Sequence, residues 1–168
     1  MAVTIREYTQ ADLEACRDLW RSLVQRHRDI YSDPSIGGAD PGIEFDQHLS
    51  HSALVKLWVA AIDSELVGLC GLLVEHGESE LEPIVVSPSH RTQGIGASLA
   101  QQAIAESRRL GMKFINVRPV ARNVEAIEFF HREGFRSLGH VELCIRLDDG
   151  VFSDPARVAT LHGVDFTF

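Results

Sequence analysis

The sequence predicts an α/β domain of the α+β type, built on a mixed, mostly antiparallel central sheet, and three observations carry that prediction. The apolar runs 54–62 and 66–74 flank the turn residues Asp63-Ser64-Glu65 and read as a hairpin. The β-branched run Ile84-Val85-Val86 stops at Ser87 and Pro88; a polar loop and a helical pattern starting at Gly94 and Gly96 follow, and then the apolar run 112–117. That order is a strand-helix-strand crossover, so its two strands should lie parallel. Finally, Leu13, Cys16, Trp20, Leu23 and Val24 form a helical stripe, as do Ala126, Ile127 and Phe130. With 168 residues, 45% hydrophobic and 24% charged, the chain is expected to be one globular domain, 1–168, in which 148–168 is a C-terminal extension.

The elements follow in order. Residues 3–8 read as the first strand, and Thr9 with Asp12 opens the first helix as a capping pair. Residues 29–42 hold Asp33-Pro34 and Asp40-Pro41 around Gly37-Gly38, which predicts an irregular surface loop. A short helix over 43–51 carries His48 and His51 on one face; no third ligand with usable spacing follows, so both are read as solvent-facing and no metal is expected. Residues 75–79 turn the third strand into the central one. In the helical pattern after Gly94, Ile95, Leu99, Ala103 and Leu110 share one face, and Gly111 closes it. Asn123 caps the next helix, Glu125 and Glu128 sit near its positive end, and Gly134 ends it. Residues 135–147 supply a strand or a tight pair broken near Gly139-His140. The tail ends in the alternating run Val164, Phe166, Phe168, an extra strand that pairs within the chain or with a second subunit in a homodimer.

Composition narrows the partners. A formal charge of -8 disfavours a nucleic-acid surface, which needs a basic field, and tilts toward a cationic partner. Cys16, Cys70 and Cys144 lie in apolar patterns without close spacing and read as core fillers in a reducing compartment. The start of the chain lacks a basic and apolar leader pattern, and no stretch reaches membrane-spanning length, so a cytoplasmic protein is expected. No Gly-x-Ser-x-Gly or His-Glu-x-x-His pattern supports a hydrolase or metalloprotease.

The stretch 81–96 holds the most chemistry. Glycines at a helix entrance let a ligand approach the backbone, and the first-turn N–H groups point outward with the positive end of the helix dipole behind them. With Arg91 as a fixed charge, Arg91-x-x-Gly94-x-Gly96 reads as an anion site suited to a pyrophosphate. A plain capped helix is the other reading. A dinucleotide fingerprint fails because Leu99 stands where a small residue is needed and 113–117 holds no acid; a Walker loop fails for want of Gly-Lys-Ser/Thr.

Glu82, Ile84 to Val86 and Thr92 to Ala97, joined with Asn123-x-x-Ala126-x-x-Phe129-Phe130-x-x-x-Gly134-Phe135, resemble the GNAT superfamily of acyl-CoA-dependent N-acyltransferases in order and spacing. The likeness in element order runs from Val3 to about Leu147, and Phe130 stands where the family usually has tyrosine. It implies helices on both faces of the sheet and a splayed parallel strand pair that forms the acyl-CoA cleft. It further implies acetyl-CoA as co-substrate, held by Ile84, Val85, Val86, Arg91, Thr92, Gln93, Gly94, Ile95, Gly96 and Ala97, with Asn123 and Phe130 near the thioester. The loop 29–42 would border the acceptor, making Tyr31, Asp33 and Asp40 substrate candidates; solvated loop residues are the alternative for each.

The reaction so implied is attack of an amine on the thioester, with the acceptor a small molecule or a peptide. An alkylammonium has a pKa near ~10.4 and needs a base. Glu82 is the candidate, with Glu80, two residues earlier on the same strand face, as competitor. N–H groups of Ile84 to Val86 would stabilise the oxyanion if the strand is bulged, as Pro83 permits. A thiol of pKa about 8.5 leaves readily as thiolate, so the missing tyrosine does not forbid catalysis. A non-catalytic acyl-CoA sensor and a merely structural glycine loop remain as alternatives.

Overall fold

The computed structural model describes residues 2–145, 147 and 154–168. Strands β1 (Val3–Glu7), β2 (Leu54–Ile62), β3 (Glu65–Glu75), β4 (Glu78–Val86) and β5 (Ile115–Asn116) form one sheet in that order. All neighbours are antiparallel except β4 and β5, whose parallel contact is confined to Ser79↔Ile115 and Glu80↔Asn116. Beyond Glu80 the two strands part, as expected of a splayed pair. The β3–β4 hairpin turns at His76-Gly77, whose positive φ values of 51° and 83° match the right-handed strand twist.

Side chains alternate across the sheet, so each strand feeds two cores. Trp58, Ala60, Val67, Cys70, Leu72 and Leu81 face α3 (Ile95–Arg109), which contributes Ile95, Leu99 and Ala103, and α4 (Val124–Arg132), which contributes Phe130. On the opposite face Leu57, Val59, Leu69 and Val85 meet Cys16 and Leu19 of α1 (Leu13–Tyr31) and Phe45 of α2 (Gly42–Leu49). Leu99 has no exposed surface; burying such a side chain contributes roughly 1.5–3 kcal/mol. These two layers fix the directions in which β4 can present its remaining side chains.

The entry to α1 is held by Asp12. Its carboxylate accepts from the Thr9 N–H at 2.8 Å and takes both Arg6 guanidinium nitrogens at 2.7 Å, tying β1 to the helix. The Arg6 hydrogen bonds, more than any other contact, pull the buried Asp12 carboxyl from 3.8 to about 2. A depressed carboxyl stabilises the fold above its unfolded pKa and loses that contribution as pH falls through the folded value. Asp12→Asn is therefore expected to lower stability by about 2 kcal/mol at neutral pH. In denaturant titrations the gap to the parent should close as pH falls from 3.8 toward about 2; a gap independent of pH would show that the ion pair is not its source.

Several expectations need correction. α1 continues through Tyr31, so the loop is confined to 32–41. Only Ile115–Asn116 of the run 112–117 is paired, and Leu110, beyond the end of α3, is exposed. His48 is buried because α2 lies against α1 on the Phe45–His48 side, which leaves Ile43 and His51 outward. On α4 the inward set is Ala126, Phe129 and Phe130 at i, i+3, i+4, and Ile127 falls outside it. Cys144 is exposed, unlike the buried Cys16 and Cys70. Residues 135–145 and 147 contain no strand; Arg146 and 148–153 lie outside the described residues. The tail forms its own antiparallel hairpin, β6 (Val158–Leu161) with β7 (Val164–Thr167), so the run at Val164 and Phe166 pairs within the chain.

Candidate active site

The centre of the site is a break in the β3–β4 ladder. Cys70 pairs with Ile84 and Leu72 with Leu81, so Gly71 alone faces Glu82 and Pro83, a bulge entered through a cis Glu82-Pro83 bond. Gly71 makes it possible: a Cβ there would stand 2.3 Å from the Glu82 carbonyl oxygen. The bulge resets the alternation. Ser87 donates to the Val67 carbonyl at 2.8 Å, so by the two-residue period Val85 also turns its N–H to β3. Ile84 and Val86 turn theirs the other way, toward the gap where β5 has left β4. Val85 is thereby committed to the ladder and, through its side chain, to the core.

Past β4 the chain runs through Ser87 to Gln93 into α3. Thr92 and Gly94 have positive φ, 62° and 79°, and Gly94 is the α3 N-cap without a side-chain cap hydrogen bond. A Cβ at Gly94 would meet no atom within 4 Å, so open space lies before the helix end. The first-turn N–H groups of Ile95, Gly96 and Ala97 have no intrahelical acceptor. An acyl-CoA pyrophosphate fits this cradle. The Ile95 side chain is buried in the α3 core and can offer a ligand only its main chain. Gly96 is required by packing: its Cβ would stand 3.4 Å from the Phe129 ring. Arg91 is exposed and its Nε donates to the Val86 carbonyl at 3.3 Å; Thr92 Oγ1 bonds the Arg91 carbonyl and Gln93 Nε2 the Ser89 carbonyl.

Two carboxylates stand on the α1–α2 side of β4. Glu82 is exposed at the bulge, whereas Glu80 is largely buried and ion-paired with Arg118, past the end of β5. Burial pushes the Glu80 carboxyl above the ordinary glutamate value; Arg118 opposes that and the Glu82 charge adds to it. His48, from α2, lies 5.2 Å ring to ring from Trp20. Burial lowers its pKa, the charge of His51 lowers it further, and a hydrogen bond to the Glu82 backbone acts the other way.

The remaining candidates divide. Asn123 Oδ1 caps α4 by accepting from the Ala126 N–H at 3.2 Å. Phe130 is packed between the rings of Phe129 (5.1 Å) and Phe135 (5.6 Å) in the α3 core, while Phe129 lies against Gly96 at the cradle. The Tyr31 ring sits under the Arg122 guanidinium at 4.7 Å, which joins the end of α1 to the loop before α4. Asp33 accepts from the Ser35 N–H and hydroxyl, and Asp40 binds the Gly42 N–H and Arg21, so both carboxylates act within their own loop. Sequence reasoning missed Gly71, Phe129, His48 and Arg118. Only Phe129 had a signal, its place in the Phe-Phe pair of the quoted motif. Among the described residues no group of three His, Cys, Asp or Glu side chains could hold a metal, and no helix is long and apolar enough to cross a membrane.

A sheet that opens at one parallel strand pair, with a glycine-started helix facing the opening, defines the class of acyl-CoA-dependent N-acyltransferases. The chain belongs to the acetyltransferase (GNAT) family, whose model matches residues 16–135. Solved structures agree on the fold. A GNAT-family acetyltransferase from Staphylococcus aureus is 22% identical, with a TM-score of 0.66, over 88% of this chain and 95% of that one. The aminoglycoside-type enzyme AAC(6')-Iy, in complex with a bisubstrate analogue of CoA and acetylneamine, is 18% identical, with a TM-score of 0.64, over 87% and 99%. A transcriptional regulator from Bacillus halodurans is 24% identical, with a TM-score of 0.65, over 87% and 100%.

Proposed function

We propose that the protein is an N-acetyltransferase that moves the acetyl group of acetyl-CoA to a primary amine by direct attack on the thioester. The observation that carries the reading is the β4 bulge: it turns the Ile84 and Val86 N–H groups into the strand gap beside the glycine-capped end of α3. The main chain of Thr92 to Ala97 would hold the pyrophosphate, with Arg91 adding charge and the Asn123 amide near the pantetheine. Glu82 takes the proton from the ammonium, directly or through water. As the N–C bond forms, Ile84 and Val86 donate to the carbonyl oxygen, and the C–S bond breaks to release thiolate, which Phe130 cannot protonate. Tyr31, under Arg122, would wall the acceptor side; Asp33 and Asp40 would reach an acceptor only by giving up their loop bonds. The acidic surface favours a cationic small-molecule or peptide acceptor, and the buried free thiols Cys16 and Cys70 suit the reducing cytoplasm.

The test is calorimetric titration with acetyl-CoA followed by CoA release across an amine library. Binding with turnover supports the enzyme. Binding without turnover favours the acyl-CoA sensor, the reading to which the hydroxyl-less Phe130 lends weight; no binding removes both. Gly94→Val tests the cradle. Its φ of 79° already disfavours a side chain, and the branched group would enter the space before α3. Acetyl-CoA affinity is expected to fall at least about tenfold, roughly 1.4 kcal/mol. Unchanged affinity in a folded variant would place the cofactor elsewhere.

A further inference from the structure

We propose that residues 141–147 pair antiparallel with the same residues of a second copy of this chain, around Cys144 as the centre of symmetry, and so form a homodimer. This inference is independent of the acyl-transfer reading.

Val141, Leu143, Ile145 and Leu147 alternate with Glu142, Cys144 and Arg146, the period of a strand with one apolar face. The structure leaves that face bare: Val141 is 53% exposed, Leu143 66%, Ile145 81% and Leu147 92%. No strand pairing is made by 136–145 among the described residues. Runs of large apolar side chains this exposed mark interaction surfaces. The segment starts at the open end of the sheet, where a Cβ on Gly139 would stand 3.9 Å from Asn116 Oδ1 of β5, the terminal strand.

The identity of the occupant follows from the segment's own sequence. Arg146 lies outside the described residues and enters only by its place in the sequence. In an antiparallel pair centred on Cys144, Glu142 of each copy faces Arg146 of the other, Leu143 faces Ile145, and Val141 faces Leu147. Both charged rungs are opposite in sign, and the apolar residues share one face. A parallel pair would instead set Glu142 against Glu142 and Arg146 against Arg146. The segment is thus self-complementary in one direction only, the property of a two-fold interface. A seven-residue strand pair is small beside a stable interface of about 1,200–2,000 Å², so the dimer should dissociate on dilution.

Sedimentation velocity on the full chain between about 1 and about 200 µM is expected to show concentration-dependent dimers. Glu142→Arg sets like charges on both rungs and should weaken association at least about tenfold, as should Arg146→Glu. Mixing those two variants restores opposite charges on both rungs and should recover a heterodimer. Mild oxidation should join parent dimers through Cys144, since Cys16 and Cys70 are buried, and Cys144→Ser should abolish that cross-link while leaving the dimer. The substitutions are on exposed positions or outside the packed cores, and circular dichroism with acetyl-CoA titration verifies the fold. A monomer at every concentration overturns the proposal. So does a dimer that neither responds to the charge reversals nor cross-links at Cys144.

Discussion

Glu82→Gln is expected to lower acetyl transfer at neutral pH by roughly 10²-fold, about 2.7 kcal/mol of transition-state stabilisation, with acetyl-CoA affinity unchanged. The split follows from position. Glu82 projects from the bulge toward the α1–α2 side, whereas the cofactor cradle is main chain at the start of α3. Losing the carboxylate removes an acceptor for the ammonium proton and no contact to the pyrophosphate. Glu80→Gln is the paired control. Glu80 is tied to Arg118 and held above its ordinary pKa by burial, so it is placed to tune its neighbour's charge, and its loss should cost less. Single-turnover rates with an accepted amine, beside calorimetric acetyl-CoA affinities, measure both. Full turnover in Glu82→Gln with impairment in Glu80→Gln would move the base two residues upstream.

The sheet, its crossover and the cradle were legible because each rests on a local pattern. The hairpin over β2 and β3 is set by period-two apolar runs around a short turn, and the α3 entrance is marked by Gly94 and Gly96. What was not legible depends on a partner distant in sequence. Nothing around Gly71 distinguishes it from other strand glycines; its role appears only once β3 and β4 are in register and the Glu82 carbonyl lies against it. His48 and His51 looked equivalent at i, i+3, but which side of α2 is covered depends on α1 and Trp20, far upstream. Ile127 and Phe130 share a helical face by spacing, yet the covered arc is centred on Ala126 and Phe130, because α3 meets α4 through Phe129 and Gly96. In the alternating run from Val141 the period was readable but not the absence of a covering layer, so Cys144 was assigned to a core it does not enter. Periodicity reports which residues share a face; it does not report what lies over that face.

Gly71→Ala should test the bulge as an oxyanion site with equal force. A methyl at Gly71 would lie 2.3 Å from the Glu82 carbonyl oxygen and 3.1 Å from both the Glu82 carbonyl carbon and Pro83 Cδ. The carbonyl atoms are backbone, so the strain cannot be relieved by a rotamer change; β4 must move away from β3 at the bulge. Overpacking of this kind costs roughly 1–3 kcal/mol of stability. The displacement carries Ile84 with it, and removing one aligned oxyanion donor lowers turnover by roughly 10²–10³-fold. Acetyl-CoA affinity should fall much less, since α3 is seated by Ile95 and Leu99 and not by Gly71. Gly68→Ala separates chemistry from stability: its methyl would meet Leu99 Cδ1 at 3.0 Å, Ala60 Cβ at 3.3 Å and Ile95 Cγ2 at 3.4 Å, crowding the core on the same strand without touching the bulge. Comparable destabilisation with turnover lost only in Gly71→Ala would tie catalysis to the bulge. Equal loss in both variants would make it a consequence of weakened packing, and full turnover in Gly71→Ala would remove Ile84 and Val86 from the reaction.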